Sequence, residues 1–265
     1  MKSLNSRNMR VTLGVAAILV GLLIAMFYVV RRNNVDVVDA RMARLIASSG
    51  SVTDKRSISD QVHKIGHEIG ESDNSGSLDS ALKKCGDPDF IKGGCLHGVV
   101  MGLEHHYTKE QLAKKCTEKT LSDLRFNKNC AHAIGHILFT EQDQLNSYLT
   151  SCDSLFPVDL RNACYSGVFM EYMLASHSIA MGEPKTILRI PDCKKVPESY
   201  TMICAGSIGS YTQYYPNDSL EKTVSLCQEL QTQEQQQYCF DSARDRLKLA
   251  SQETQSAFCR LITCQ

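Results

Sequence analysis

The chain has 265 residues, with 29 Lys plus Arg against 29 Asp plus Glu, twelve Cys and no Trp. A neutral charge balance excludes the broad basic footprint of a nucleic-acid binder. A hydrophobic content of 43% excludes a chain too polar to bury a core. Twelve cysteines argue against an ordinary reducing cytosol, where thiols stay mostly free.

The first segment is basic, with Lys2, Arg7 and Arg10 ahead of an apolar run from Val11 to Val30 that ends at Arg31 and Arg32. Twenty helical residues span about 30 Å, the thickness of a bilayer's hydrocarbon core. The run predicts an uncleaved transmembrane signal anchor over 11–30, behind a cytoplasmic flank over 1–10. A long cleaved signal peptide is the alternative. On this reading the protein is a single-pass cell-membrane protein, N-terminus inside, with the membrane as a partner and the remaining chain extracytoplasmic. Removing residues 1–32 takes away five basic residues and no acidic one, so that remainder is acidic by five charges.

Residues 31–57 read as a juxtamembrane stalk or short helix, with a flexible break at Ser48-Ser49-Gly50-Ser51. From Ile58 onward the apolar spacing is helical, and residues 58–265 read as one cysteine-rich helical-repeat domain. The cysteines serve as rulers. They form the short-range pairs Cys85/Cys95, Cys116/Cys130, Cys152/Cys164, Cys193/Cys204, Cys227/Cys239 and Cys259/Cys264. The second members from Cys95 to Cys239 recur after 35, 34, 40 and 35 residues. A short segment ends at each first cysteine from Cys85 to Cys227, and the second cysteine opens a longer one. Adjacent bridges would therefore staple a short helix to the helix that follows, although spacing alone leaves crossed bridges open.

The reading is all-α: a transmembrane helix followed by a disulfide-stapled solenoid of αα-hairpins. In hairpin length it resembles the cysteine-stapled members of the Sel1/tetratricopeptide class, without their consensus residues. That resemblance implies an architecture and no activity. Beta structure is the weaker reading, resting on Tyr211, Tyr214 and Tyr215. Those tyrosines form either a ligand patch or packing around Pro216.

The histidines carry the chemical signal. His63 and His67 stand at i and i+4, with Glu71 one turn further, so all three share a helix face. The next segment gives His97, Met101 and Glu104, with His105 close by; the third gives His132 and His136. His63, His97 and His132 match in repeat phase, and His67, Met101 and His136 match one turn later. Stacked segments would thus gather His63, His67, His97, His132 and His136 into one metal centre, with Glu71 or Glu104 as ligand, orienting group or proton acceptor. Imidazoles with a carboxylate suit iron, copper or zinc. The competing reading is structural, with buried imidazoles hydrogen-bonded between helices. Cys-x-x-Cys-His, His-Glu-x-x-His and repeated Glu-x-x-His patterns are missing, which leaves no named reaction and no catalytic residue. Met170, Met173 and Met181 read as packing more readily than as copper ligands. The glutamine-rich run from Gln231 to Gln237 reads as a solvated helix.

The functional expectation is a membrane-anchored extracytoplasmic metal-binding protein, redox or oxygen-activating. A non-catalytic accessory subunit docked on a membrane-protein complex is the alternative, and a metal-dependent hydrolase the third.

Overall fold

A computed structural model describes residues 19–22, 44, 55–72, 77–83, 90–118, 124–139, 144–174, 189–211, 220–248 and 252–262. Among these residues the fold is all-α, without a strand. The helices are α1 (Lys55–Ser72), α2 (Leu78–Lys83), α3 (Phe90–Gly102), α4 (Lys109–Thr117), α5 (Leu124–Leu138), α6 (Leu145–Leu155), α7 (Val158–Leu174), α8 (Thr201–Tyr211), α9 (Leu220–Gln228), α10 (Gln233–Leu247) and α11 (Gln252–Ile262). Short 3-10 turns follow α3 at Leu103–His105 and precede α8 at Glu198–Tyr200.

Local chemistry fixes where helices start. Thr108 caps α4 in a reciprocal box: its hydroxyl accepts from the Gln111 backbone N–H, while the Gln111 side chain accepts from the Thr108 N–H. Thr232 accepts from the Gln235 N–H at the start of α10. The glutamine run is more than a solvated face. Gln235 is buried, and the Gln236 amide donates to the carbonyls of Gln228 and Leu230, closing the turn between α9 and α10.

Four bridges join adjacent cysteines: Cys116–Cys130, Cys152–Cys164, Cys193–Cys204 and Cys227–Cys239. Cys116–Cys130, Cys152–Cys164 and Cys227–Cys239 each tie a helix to the longer one that follows, and Cys193–Cys204 ties the turn ahead of α8 to α8. Cys95 and Cys259 are also disulfide-bonded, while Cys85 and Cys264 lie outside the described residues. Loops of this length contribute about 2–4 kcal/mol per bridge.

The strongest packing lies elsewhere. Long helices α1 and α3, α5 and α7, and α8 and α10 form three close pairs, and glycine makes the closeness possible. A Cβ at Gly66 would stand 2.2 Å from the Cys95 carbonyl oxygen, and one at Gly98 would stand 2.1 Å from that of His63. The α5/α7 pair repeats this: a Cβ at Gly135 would stand 2.1 Å from the Cys164 carbonyl oxygen, and one at Gly167 would stand 2.0 Å from that of His132. In the third pair a Cβ at Gly209 would stand 2.0 Å from the Cys239 carbonyl oxygen. Gly98 faces His63 and Gly102 faces His67, so α1 and α3 advance in the same direction. Glycine inside a helix costs about 1 kcal/mol relative to alanine. Here it removes the atom that would hold two backbones apart.

This corrects the expected solenoid of short–long hairpins. The closest unit is a parallel pair of successive long helices, with the short helices acting as braces. The cysteine ruler hides this alternation because it treats every segment alike.

The membrane reading is also overturned. Among the described residues no helix is long and apolar enough to cross a membrane. The longest, α1, has 18 residues and carries Lys64, Glu68 and Glu71 along its length. Of the expected span over 11–30, Leu19 to Leu22 are described, as exposed helical residues; the rest of that span, and almost all of the flank and stalk, lies outside the described residues. With that reading fall the expected membrane anchor, the membrane and its complexes as partners, the cell-membrane location and the membrane-anchored redox function built on them.

Candidate metal centre

The close pairs meet each other along a looser junction between α3 and α5, and the histidines stand there. His97 lies two residues after Cys95 on α3, and His132 two residues after Cys130 on α5. His136 is one turn beyond His132. One ligand nitrogen from each of His97, His132 and His136 falls in a group whose members all lie within 4.8 Å of one another. The His97 ring is central: its centroid is 4.5 Å from His63, 5.0 Å from His132 and 4.6 Å from His136.

Hydrogen bonds on the far side of two rings fix their tautomers. His132 Nδ1 lies 3.3 Å from the Ala163 carbonyl oxygen. A carbonyl can only accept, so this nitrogen carries the proton and Nε2 presents its lone pair. His136 Nδ1 lies 2.9 Å from Glu171 Oε2, where the carboxylate accepts in the same way. The two Nε2 atoms then face each other at 3.2 Å. Two lone pairs at that separation repel unless a cation stands between them, and the cation is either a proton or a metal ion.

On His97 and His132 burial disfavours the proton. It pushes the His97 pKa well below the ordinary imidazole value, and the neighbouring charges of His63, His136, His132 and His67 push further. His132 is lowered too, first by burial, then by His136 and by the Arg246 guanidinium, against a smaller opposing effect of the Ala163 hydrogen bond. His97 Nε2 is buried without a hydrogen-bond partner among the described residues. Neutral imidazole nitrogens with no competing proton are ready-made ligands for a borderline metal ion.

The remaining residues expected at the site take distinct places. His63 and His67 flank the group from α1, their ring centroids 5.7 Å apart. Glu71 lies 3.6 Å from His67 Nδ1 with half its side chain in solvent. Glu104 sits on the 3-10 turn after α3, 3.8 Å from the exposed His105, and outside the histidine group. Met173 and Tyr211 are buried packing residues, whereas Met181, His177, Tyr214 and Tyr215 lie outside the described residues.

Glu171 escaped the sequence reading. It interrupts the apolar stretch Val168-Phe169-Met170 and is 7% exposed. A carboxylate in such a stretch needs a buried partner, and that need was the available signal. Beyond it the polar line continues through Ser166, whose hydroxyl meets Tyr211 Oη at 2.7 Å, to Arg246 over the Tyr211 ring.

These histidines form a cluster capable of coordinating a metal ion. Comparison of the chain with protein-family models, curated proteins and solved structures found no match. The functional reading therefore stands on the geometry of the site.

Proposed function

We propose that the protein binds one transition-metal ion through His97, His132 and His136, and that the ion clasps two close helix pairs together in a structural or accessory protein. The observation that carries this is the pair of Nε2 atoms at 3.2 Å, each with its opposite nitrogen engaged by an acceptor. Two nitrogens on a tetrahedral zinc, at about 2.0–2.1 Å each, stand about 3.3 Å apart. His97 closes the third position by a turn of its side chain.

The position of the ion supports a clasp. His97 belongs to the α1/α3 pair, and His132 and His136 belong to the α5/α7 pair. Glycine-mediated contact holds each pair internally, and the α3/α5 junction has no such contact among the described residues. Metal bonds across that junction stabilise the arrangement of the pairs. Glu171 orients His136, as carboxylates behind metal-bound imidazoles do. Zinc fits a set of neutral nitrogens with no redox demand, while copper and iron are accommodated by the same ligands.

The experiment is elemental analysis of protein purified without chelator or added metal, followed by thermal unfolding with and without the ion. Tight stoichiometric metal and a large rise in Tm support the clasp. An ion at a thousand times its Kd adds about 4 kcal/mol. Protein that neither retains a metal nor gains stability from zinc, copper, cobalt or iron would end this reading.

A further inference from the structure

We propose a second metal site on α1, formed by His63 and His67 and backed by Glu71, beside the His97–His132–His136 centre. This inference rests on the reading of that triad as a metal centre. The segment His63-Lys64-Ile65-Gly66-His67 recurs 69 residues later as His132-Ala133-Ile134-Gly135-His136. The glycine does the same work in both. Gly66 admits the Cys95 carbonyl and Gly135 admits the Cys164 carbonyl, with a Cβ blocked at 2.2 and 2.1 Å. Each pair of imidazoles therefore leaves its helix at the same point of the same crossing.

The carboxylate is repeated as well, from a different source. Glu171 bonds His136 Nδ1 from the neighbouring helix at 2.9 Å, whereas Glu71, one turn further along its own helix, stands 3.6 Å from His67 Nδ1, within ion-pair range but beyond hydrogen-bond reach. His97 lies between the two motifs, its centroid 4.5 Å from His63 and 4.6 Å from His136. The two sites differ in closure. The α5 site takes its third imidazole from His97, whereas the α1 pair supplies two, and Glu71 is half exposed. The α1 site thus keeps coordination positions for water or an added ligand, and binds a borderline divalent ion such as zinc more weakly and exchangeably.

The test is titration of metal-free, full-length protein with zinc chloride, read by calorimetry and by elemental analysis after gel filtration. Wild type should take two ions, the second at least tenfold more weakly. His136→Gln should lose the tight ion and His67→Gln the weak one. Glu71→Gln, at a half-exposed position that leaves the core alone, should weaken only the second ion by about tenfold or more. One ion in wild type overturns the second site and leaves the triad standing; no ion overturns both. Loss of both ions in His67→Gln, with helix content unchanged by circular dichroism, also overturns it by showing a single shared centre. Should His67→Gln fail to fold, Glu71→Gln decides, and an isotherm identical to wild type defeats the proposal.

Discussion

Glu171 reaches across from α7 to His136 Nδ1 at 2.9 Å, with the histidine side chain fully withdrawn from solvent and the glutamate nearly so. This contact joins the two members of a glycine-packed pair and turns His136 Nε2 toward His132. Removing the charge while keeping the shape, as in Glu171→Gln, should lower zinc affinity by about 10- to 100-fold. Competition against a chromophoric chelator measures it. An unchanged affinity would show that the carboxylate serves folding alone.

Truncation of His132 removes a ligand outright. His132→Ala should abolish tight binding and the metal-dependent rise in Tm, while the metal-free protein keeps its disulfides and helix content. Calorimetry and thermal melts of the two forms give the comparison. Persistence of tight binding would place the ion elsewhere.

Close helix contact makes Gly135→Ala informative. The added methyl would stand 2.1 Å from the Cys164 carbonyl, a backbone atom, so α5 and α7 must separate. Overpacking of this kind costs about 1–3 kcal/mol, against which better helix propensity returns about 1 kcal/mol. Urea unfolding should show a net loss of about 1 kcal/mol, and His132 and His136 shift with their helix, so metal binding should weaken too. A stabilised variant would mean that the two backbones do not meet at this glycine.

The metal-free protein should lose stability in acid. His97 and His132 have pKa values lowered in the folded state, below the ordinary 6.5. Unfolding releases them to bind protons, so the unfolded state holds more protons as pH falls through 6.5. The neutral rings' contribution is complete above that pH and declines below it, until the folded-state values are reached. Tm should fall on passing from pH 8 to pH 5, and by less in the double variant His97→Gln/His132→Gln. Equal acid sensitivity in both proteins would assign the effect to other groups.

Asp153 holds the middle of the molecule together. Its two carboxylate oxygens accept from the hydroxyls of Tyr165 on α7 and Tyr200 before α8. Burial, then the Asp153 hydrogen bond, raises the pKa of both tyrosines, so both remain donors at neutral pH. Asp153→Ala should cost about 2 kcal/mol in urea unfolding, since each bond to a charged acceptor is worth about 1.5–3 kcal/mol and a third of the side chain is in solvent. A cost below about 0.5 kcal/mol would make this a surface contact.

Much of the scaffold is readable from spacing. Bridges such as Cys152–Cys164 close loops short enough that adjacency is the simplest connection, and the structure makes it. The phase that aligns His97 with His132 follows from counting two residues past each cysteine. What counting misses is tertiary. Glu171 lies 35 residues from His136 and meets it only because α5 and α7 pack as a pair. Gly66 and Gly135 have no side chain to block a neighbouring helix, but nothing local says which carbonyl each receives. The apolar run over 11–30 has the length and composition of a span, yet no described helix answers to it.

The glycine crossings impose a grammar on how this chain can lengthen or shorten. Five of the six long helices fall into two kinds: α5 and α8 place glycine five residues past their cysteine, with Gly66 of α1 in the matching register, while α3 and α7 place it three past; α10 has Ser242 at that second position. Loss of one cysteine segment would set two helices of one kind side by side, with side chains where a carbonyl must fit. Loss of two would rejoin unlike partners, so such proteins should change size in double steps.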